Sequence, residues 1–294
     1  MFIVHRRKIF YLISGILVLI SILATIFWGL KFGIDFKGGT LLEIQFVKDR
    51  PTNSDVQNIL NEFNLGETTI QPSAEKDMII RTLTMDEAMH QKIINAIKAK
   101  YEIEELRFES IGPAIGQELK RKAVFSVILG ELFMIIYLSW AFRKTSFVVK
   151  SYKYGILAAT SLLHDIIIVI GLFAILGHFF NVEIGITFVA AILTILGYSV
   201  NDTIVVYDRI RENLLRLKER ESFEQLVDRS LKQTIARSIN TTLTVLICIA
   251  AVLIFGGASI RYFMLALFVG VASGAYSSFL AAFMLVSWEI KGKN

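Results

Sequence analysis

The stretch Tyr154-Gly-Ile-Leu-Ala-Ala-Thr-Ser-Leu-Leu-His-Asp-Ile-Ile-Ile-Val-Ile-Gly-Leu-Phe-Ala-Ile-Leu-Gly-His-Phe-Phe180 is an apolar run interrupted near its middle by His164 and Asp165. About 20 apolar residues cross the hydrocarbon core of a bilayer as a helix. The run therefore predicts a membrane span with an ionisable pair near the midplane. Five more runs qualify or nearly qualify: 9–30; 123–142, interrupted by Glu131; 184–206, with Asn201 and Asp202 near its end; 239–257; and 262–288. The expected fold class is a multi-pass α-helical membrane protein with six transmembrane helices. Basic residues precede the first run as they would in a signal peptide. The run is long for a signal sequence and no A-x-A site closes it, so it reads as a retained anchor.

Composition agrees. Of 294 residues, 54% are hydrophobic and 19% charged, against about 25% charged in soluble domains. Cys248, the one cysteine, lies in an apolar run and cannot form an internal disulfide; it reads as a small buried apolar residue. The net charge of +5 comes without the basic face and aromatic platforms of a nucleic-acid binder.

Lys and Arg in short flanks set orientation. Arg6, Arg7 and Lys8 precede the first run; Arg143, Lys144, Lys150 and Lys153 lie between the second and third; eight basic residues lie in 207–240; Lys291 and Lys293 follow the sixth. The short loops of the opposite side carry only Arg261. Seventeen against one predicts cytoplasmic termini, a cytoplasmic segment at 207–238 and a tail at 289–294.

Residues 31–122 are too polar to span and too long for a loop, so they are expected to fold outside. They hold 13 basic and 15 acidic residues, which is no polyanion-binding surface. Residues 40–47, 68–71, 77–83 and 103–111 carry strand patterns. Residues 51–63 read as a helix capped by Thr52 or Ser54, with Val56, Ile59, Leu60 and Phe63 on one face. Residues 84–101 read as a second helix, with Thr84 and Glu87 as a capping box. The order β-α-β-β-α-β predicts an extracytoplasmic α+β ferredoxin-like domain.

Ionisable groups at bilayer depth are costly and default to functional candidates. His164 and Asp165 reach no interface easily. Asp202, beside Asn201, lies near the cytoplasmic end of its run, and Arg237 stands just before the fifth run at comparable depth; the two are candidates for an ion pair. Arg237 reads equally as an anchor that snorkels, Asp202 as a helix-end residue, and Glu131 as a structural residue that snorkels outward. Ala266, Gly270, Gly274 and Ser278 form a small-residue stripe for close helix packing. Residues 207–232, with Ile210, Leu214 and Leu217 on one face, read as an amphipathic helix at the inner membrane surface.

Several segments resemble one known family. They are Gly33-Ile-Asp-Phe-Lys-Gly-Gly-Thr40, with Gly33, Asp35, Gly38 and Gly39; Ile111-Gly-Pro-Ala-Ile-Gly-Gln-Glu-Leu119; the His164-Asp165 pair; Gly197-Tyr-Ser-Val-Asn-Asp-Thr-Ile-Val-Val-Tyr-Asp-Arg-Ile-Arg-Glu-Asn213, with Gly197, Asp208 and Arg209; and Arg237-Ser-Ile-Asn-Thr-Thr242. Together, and in this order, they resemble the SecF side of the SecD/SecF family of protein-export membrane proteins, related to the RND transporters. The resemblance implies an auxiliary role beside the SecYEG channel. It implies pairing with SecD, with YajC and SecA present in the larger complex, and proton flow that favours outward movement of a translocating polypeptide. It implies that Asp202 and Arg237 take part in proton conduction, and it implies no cofactor. Membrane lipids are the remaining partner.

Three other readings stand beside this one. An intramembrane aspartyl protease would pair Asp165 with Asp202, but Ser-Val-Asn-Asp is not the Gly-x-Gly-Asp such enzymes carry. A proton-driven RND efflux half would want larger outside domains. A passive scaffold for SecD fits the sequence as well.

Overall fold

The structure is a computed structural model that describes residues 3–66, 68–73, 75–143, 149–216 and 221–291. Lys144, Leu217, Lys218, Arg220 and Lys293 lie outside the described residues. A short 3-10 turn, Val4–Arg6, leads into α1 (Arg7–Trp28). Then come α2 (Ile34–Lys37), β1 (Gly39–Phe46), α3 (Asn53–Leu60), β2 (Thr69–Pro72), β3 (Asp77–Thr82), α4 (Glu87–Lys98) and β4 (Ile103–Ile111). Five long helices follow: α5 (Pro113–Ala141), α6 (Ser151–Phe180), α7 (Ile186–Leu215), α8 (Phe223–Phe255) and α9 (Ala258–Lys291). Among the described residues six helices are long and apolar enough to cross a membrane. The chain forms two compact units, one of residues 32–124 with 183–186, the other of the remaining helices.

In the first unit the sheet runs β2-β3-β1-β4 with every neighbouring pair antiparallel. Alternation puts Leu42, Ile44, Phe46, Met78 and Ile80 on the face covered by α3 and α4, where Val56, Ile59, Leu60, Ile93, Ile94 and Ile97 complete the core. Thr52 caps α3 in a reciprocal capping box with Asp55, so Thr52 rather than Ser54 holds the helix start. A 3-10 turn, Asn61–Phe63, replaces the last turn of the expected helix.

The second helix starts later than the sequence suggests. Asp86 is the cap, its carboxylate accepting from Met89 N at 2.9 Å, while Thr84 Oγ1 donates to Ile111 O. A carboxylate is the stronger acceptor for a helix start, and Thr84 is engaged elsewhere. Glu87, in the first turn, is held below the usual carboxylate range by hydrogen bonds from Gln91 and then His90.

Gly38 and Gly39 sit at φ 80° and 129°, and a Cβ on Gly38 would come within 2.8 Å of the Pro113 backbone. Only glycine passes here without strain.

In the helical unit α6 is central: 61% of its most apolar stretch is buried, against 6% for α5. α6 lies between α1 and α9, and α9 also packs on α8. The helices outrun the apolar stretches. α5 begins at Pro113, ten residues before its apolar run, with proline at the first helical position where its missing N–H costs nothing. The expected amphipathic surface helix is not a separate element. Its first part is the end of α7 and its last part the beginning of α8. Ile210 and Leu214 are buried, and Asn213 donates to Ser230 Oγ at 2.8 Å, so the apolar face serves helix packing. Cys248 is exposed rather than buried. Only 17% of the most apolar stretch of α8 is buried within the chain, and Cys248 lies on its uncovered part.

The small-residue stripe packs inside the chain. A Cβ on Gly270 would meet Ile195 at 2.2 Å, and one on Gly274 would meet Ser199 at 2.8 Å. Ala266 and Ser278 are fully buried. The stripe brings α9 onto α7 and is spent within the subunit.

Candidate functional site

α6 presents Ser161 and Asp165 one turn apart, and α9 presents Ser273 and Ser277 with the same i, i+4 spacing, so both pairs lie along facing stripes. Ser161 Oγ donates to Ser277 O at 2.7 Å. Asp165 is completely buried. Its Oδ1 accepts from Ser273 Oγ at 2.6 Å and meets His164 Nδ1 at 3.1 Å. Its Oδ2 accepts from Ser199 Oγ of α7 and Ser277 Oγ, both at 2.7 Å. One carboxyl group thus gathers three helices.

Ser199 stands one turn before Asp202 on α7. Asp202 is 2% exposed, and its one hydrogen-bond donor among the described residues is Thr242 Oγ1 of α8, at 3.1 Å. The structure does not pair Asp202 with Arg237. Arg237 is exposed, forms no ion pair among the described residues, and lies five residues before Thr242, about 7.5 Å of helix rise. Asn201 is exposed. In place of the ion pair suggested by matching depth stands the contact with the Thr242 hydroxyl.

Beyond Asp202, α7 and α8 are laced together. Arg209 donates to Gln233 at 2.7 Å and pairs with Glu212. Asp208 pairs with Arg211 at 2.6 Å. Arg229 bonds Asn213 and Glu221. The backbone N–H groups of Ile3 and Val4 converge on Asp228 Oδ1, and Arg7 pairs with Glu224. Gly197 has open space where a Cβ would stand.

The glycine-rich stretch after α1 has a distinct role. Gly33 N donates to Ile184 O at 2.9 Å, and Asp35 Oδ2 accepts from Ile186 N, the first residue of α7, at 2.7 Å. Arg81 pairs with Glu183 at 3.0 Å. Asp35 is thereby a carboxylate at a helix N-terminus, where the backbone dipole favours negative charge.

Sequence reasoning missed Ser199, Ser273 and Ser277. The available signal was their position in apolar spans, where a buried carboxylate needs donors. Glu131, read from the sequence as a structural residue that snorkels outward, is half-buried on α5 with Oε2 sealed from solvent. Among the described residues no cluster of His, Cys, Asp or Glu is arranged to hold a metal.

Comparison with known proteins agrees in extent. The profile described as protein export membrane protein SecD/SecF, C-terminal, matches residues 90–291, and that of the SecD/SecF GG motif matches residues 29–49. The translocase subunit SecF of Thermobaculum terrenum is 41% identical over 98% of this chain and 94% of its own. The SecDF protein of Bacillus subtilis is 35% identical over 97% of this chain, which spans 37% of that longer protein. The crystal structure of the translocon-associated membrane protein SecDF from Thermus thermophilus superposes with a TM-score of 0.83 at 30% identity, covering 97% of this chain and 38% of that one. The chain belongs to the SecD/SecF family of protein-export membrane proteins.

Proposed function

We propose that this chain is an auxiliary subunit of the Sec protein translocase that pairs with SecD and uses the proton motive force to promote polypeptide export. One observation carries the reading. The likeness to relatives named translocase subunit SecF runs end to end, over 98% of this chain and 94% of the Thermobaculum protein. The existence of SecDF as one continuous chain in Bacillus subtilis supports a SecD partner. SecYEG, with SecA and YajC, is the assembly in which the pair acts, and the substrate is the translocating polypeptide. The role is mechanical rather than enzymatic.

The charge distribution supports an inner membrane location with both termini cytoplasmic. Residues 31–122 then form the outside domain, for which the antiparallel order β2-β3-β1-β4 with two helices on one face supports the ferredoxin-like description. The spans then fall at 1–30, 123–206 and 239–288, with 207–238 and 289–294 inside. With Cys248 replaced by serine, a membrane-impermeant thiol reagent added to intact cells should label Glu62→Cys and spare Arg216→Cys. The reverse pattern would invert the topology.

Within this reading Asp202 is the proton-binding switch. It is buried at bilayer depth and held by one hydroxyl, so a change in the α7–α8 contact alters its surroundings directly. Arg237 is its charge partner in a conformation other than this one, and His164 and Asp165 hold α6 against α7 and α9. The functional test is affinity purification from native membranes, followed by export into inverted vesicles with and without a proton gradient. SecD and SecYEG should co-purify, and the gradient should stimulate export only when the subunit is present. Stimulation that is equal without it would leave a passive scaffold for SecD.

A further inference from the structure

Phe108 of β4 stands opposite Leu42 of β1, on the sheet face that the helices cover. Strict alternation along β4 would place Leu106 next on that face, opposite Ile44. A bulge intervenes. Glu43 faces Arg107 and Ile44 faces Glu105, so Leu106 has no partner across the ladder, and it is 48% exposed. Bulges re-aim side chains, and this one sets a glutamate where the pattern offers a leucine. Such departures from the local pattern are expected where a position has a task.

Opposite that glutamate α4 places His90. The residue is 4% exposed, and its ring lies flat on Phe108 with centroids 3.7 Å apart. Both ring nitrogens meet carboxylates. Nδ1 is 3.2 Å from each oxygen of Glu87, three residues earlier on α4. Nε2 is 3.2 Å from Oε1 of Glu105, an ion-pair distance without hydrogen-bond alignment. Around them α3 contributes Val56 and Ile59 to the core and β1 contributes Leu42 and Ile44. Among the described residues Glu87 and Glu105 are the charged groups that meet the ring.

A neutral imidazole has one N–H and one bare lone pair. It can serve Glu87 or Glu105, and it then turns a lone pair toward the other carboxylate. An imidazolium serves both. We propose that His90 is a proton-operated clasp between α4 and β4: charged, it holds Glu87 and Glu105 together, and neutral, it releases one of them. Closing forms one N–H bond with a proton taken from water, and opening returns that proton to water. Histidine changes charge in the range between about pH 5 and 8. The stabilisation is therefore present at the acid end of that range and is lost as pH rises through it. Hydrogen bonds from Gln91 and then His90 hold Glu87 below the usual carboxylate range, which keeps it an anion at the acid end. In the topology proposed above the clasp faces the side from which protons enter, but its measurement requires neither that topology nor export.

Hydrogen–deuterium exchange of the full chain in lipid nanodiscs, read by mass spectrometry on peptides from α4 and β4, tests it. At each pH the rate in His90→Gln is divided by the rate in wild type, which cancels the intrinsic pH dependence of amide exchange. The ratio should be several-fold at about pH 5.5 and fall toward one at about pH 8.5, because the histidine is charged only at the first. Glu105→Gln, which leaves the stack of His90 on Phe108 in place, should show the same trend in β4, and it decides alone if His90→Gln does not fold. A ratio equal at the two pH values, whether raised or close to one, marks a packing residue without a switch and overturns the proposal. A ratio that grows with pH overturns it too. A pH-dependent ratio in His90→Gln with none in Glu105→Gln takes β4 out of the clasp and overturns it as well.

Discussion

Asp202→Asn should leave the subunit inserted and bound to SecD while abolishing the stimulation of export by a proton gradient. The amide has the shape of the carboxyl, and its oxygen still accepts from Thr242 Oγ1, the contact that is 3.1 Å long in this structure. Packing is therefore nearly conserved, and what disappears is the ability to gain and lose a proton. Arg237→Lys should give a partial loss, because the charge is kept and the planar fork is not. Asp165→Asn is the contrasting case. It should lower thermal stability, because an amide cannot accept from all the donors now converging on Asp165 and must place two N–H donors among them. Export is measured in inverted vesicles with the gradient present and collapsed. Wild-type gradient stimulation with Asp202→Asn would remove Asp202 from the mechanism and put the scaffold reading first.

Gly274→Leu should prevent the helical unit from assembling at all. A Cβ alone on Gly274 would stand 2.8 Å from the Ser199 Cβ and 3.1 Å from its Cα, and the rest of a leucine has nowhere to go. Overpacking in a well-packed core costs about 1–3 kcal/mol and sometimes more. Here α9 would also be levered off α7, separating Ser199 from the carboxylate it shares with Ser273 and Ser277. The expected result is loss of folded protein in detergent, seen as a collapsed size-exclusion peak, with Gly274→Ala intermediate in thermal stability. Because the stripe faces α7 of the same chain, the defect should appear in the subunit expressed without SecD. A Gly274→Leu protein of normal stability that failed only to bind SecD would contradict the internal packing.

Hydropathy made the spans legible because bilayer thickness imposes one length on all of them, and period-two alternation did the same for the strands. The ends were less legible. Pro113 marks the start of α5, but the polar residues after it hid the helix from an apolar-run criterion. Ile210 and Leu214 gave a correct helical period, yet period alone does not say whether an apolar stripe meets lipid or another helix. The Asp202–Arg237 pairing is not seen in this structure for a related reason. Counting residues gives depth in a membrane and not direction around the helix axis, and Arg237 turns out exposed while Thr242 faces the carboxyl. The serines around Asp165 were obscured by the glycines beside them, since Gly274 and Ser273 differ by one position and serve different neighbours. Sequence likeness supplied Asp35 as a motif residue, but its contact with the start of α7 needed the fold, because 151 residues separate the two partners.

The pairing of β1 with β4 has a mechanical consequence. β1 follows the glycine-rich stretch after α1 and β4 leads into α5, so the chain enters and leaves the sheet through neighbouring strands, at the rung where Gly39 faces Ile111. Antiparallel rungs lie across the strands. A force drawing residue 38 away from residue 112 therefore pulls along those rungs from their open end, and the rungs break in sequence, each carrying the whole load in its turn. Such an unzipping geometry is the weak direction of a sheet. The two attachment points tolerate little separation before β1 and β4 begin to open, whereas a load that moves both together leaves the ladder unstressed. The domain is suited to being carried as a piece and poorly suited to being stretched between its tethers.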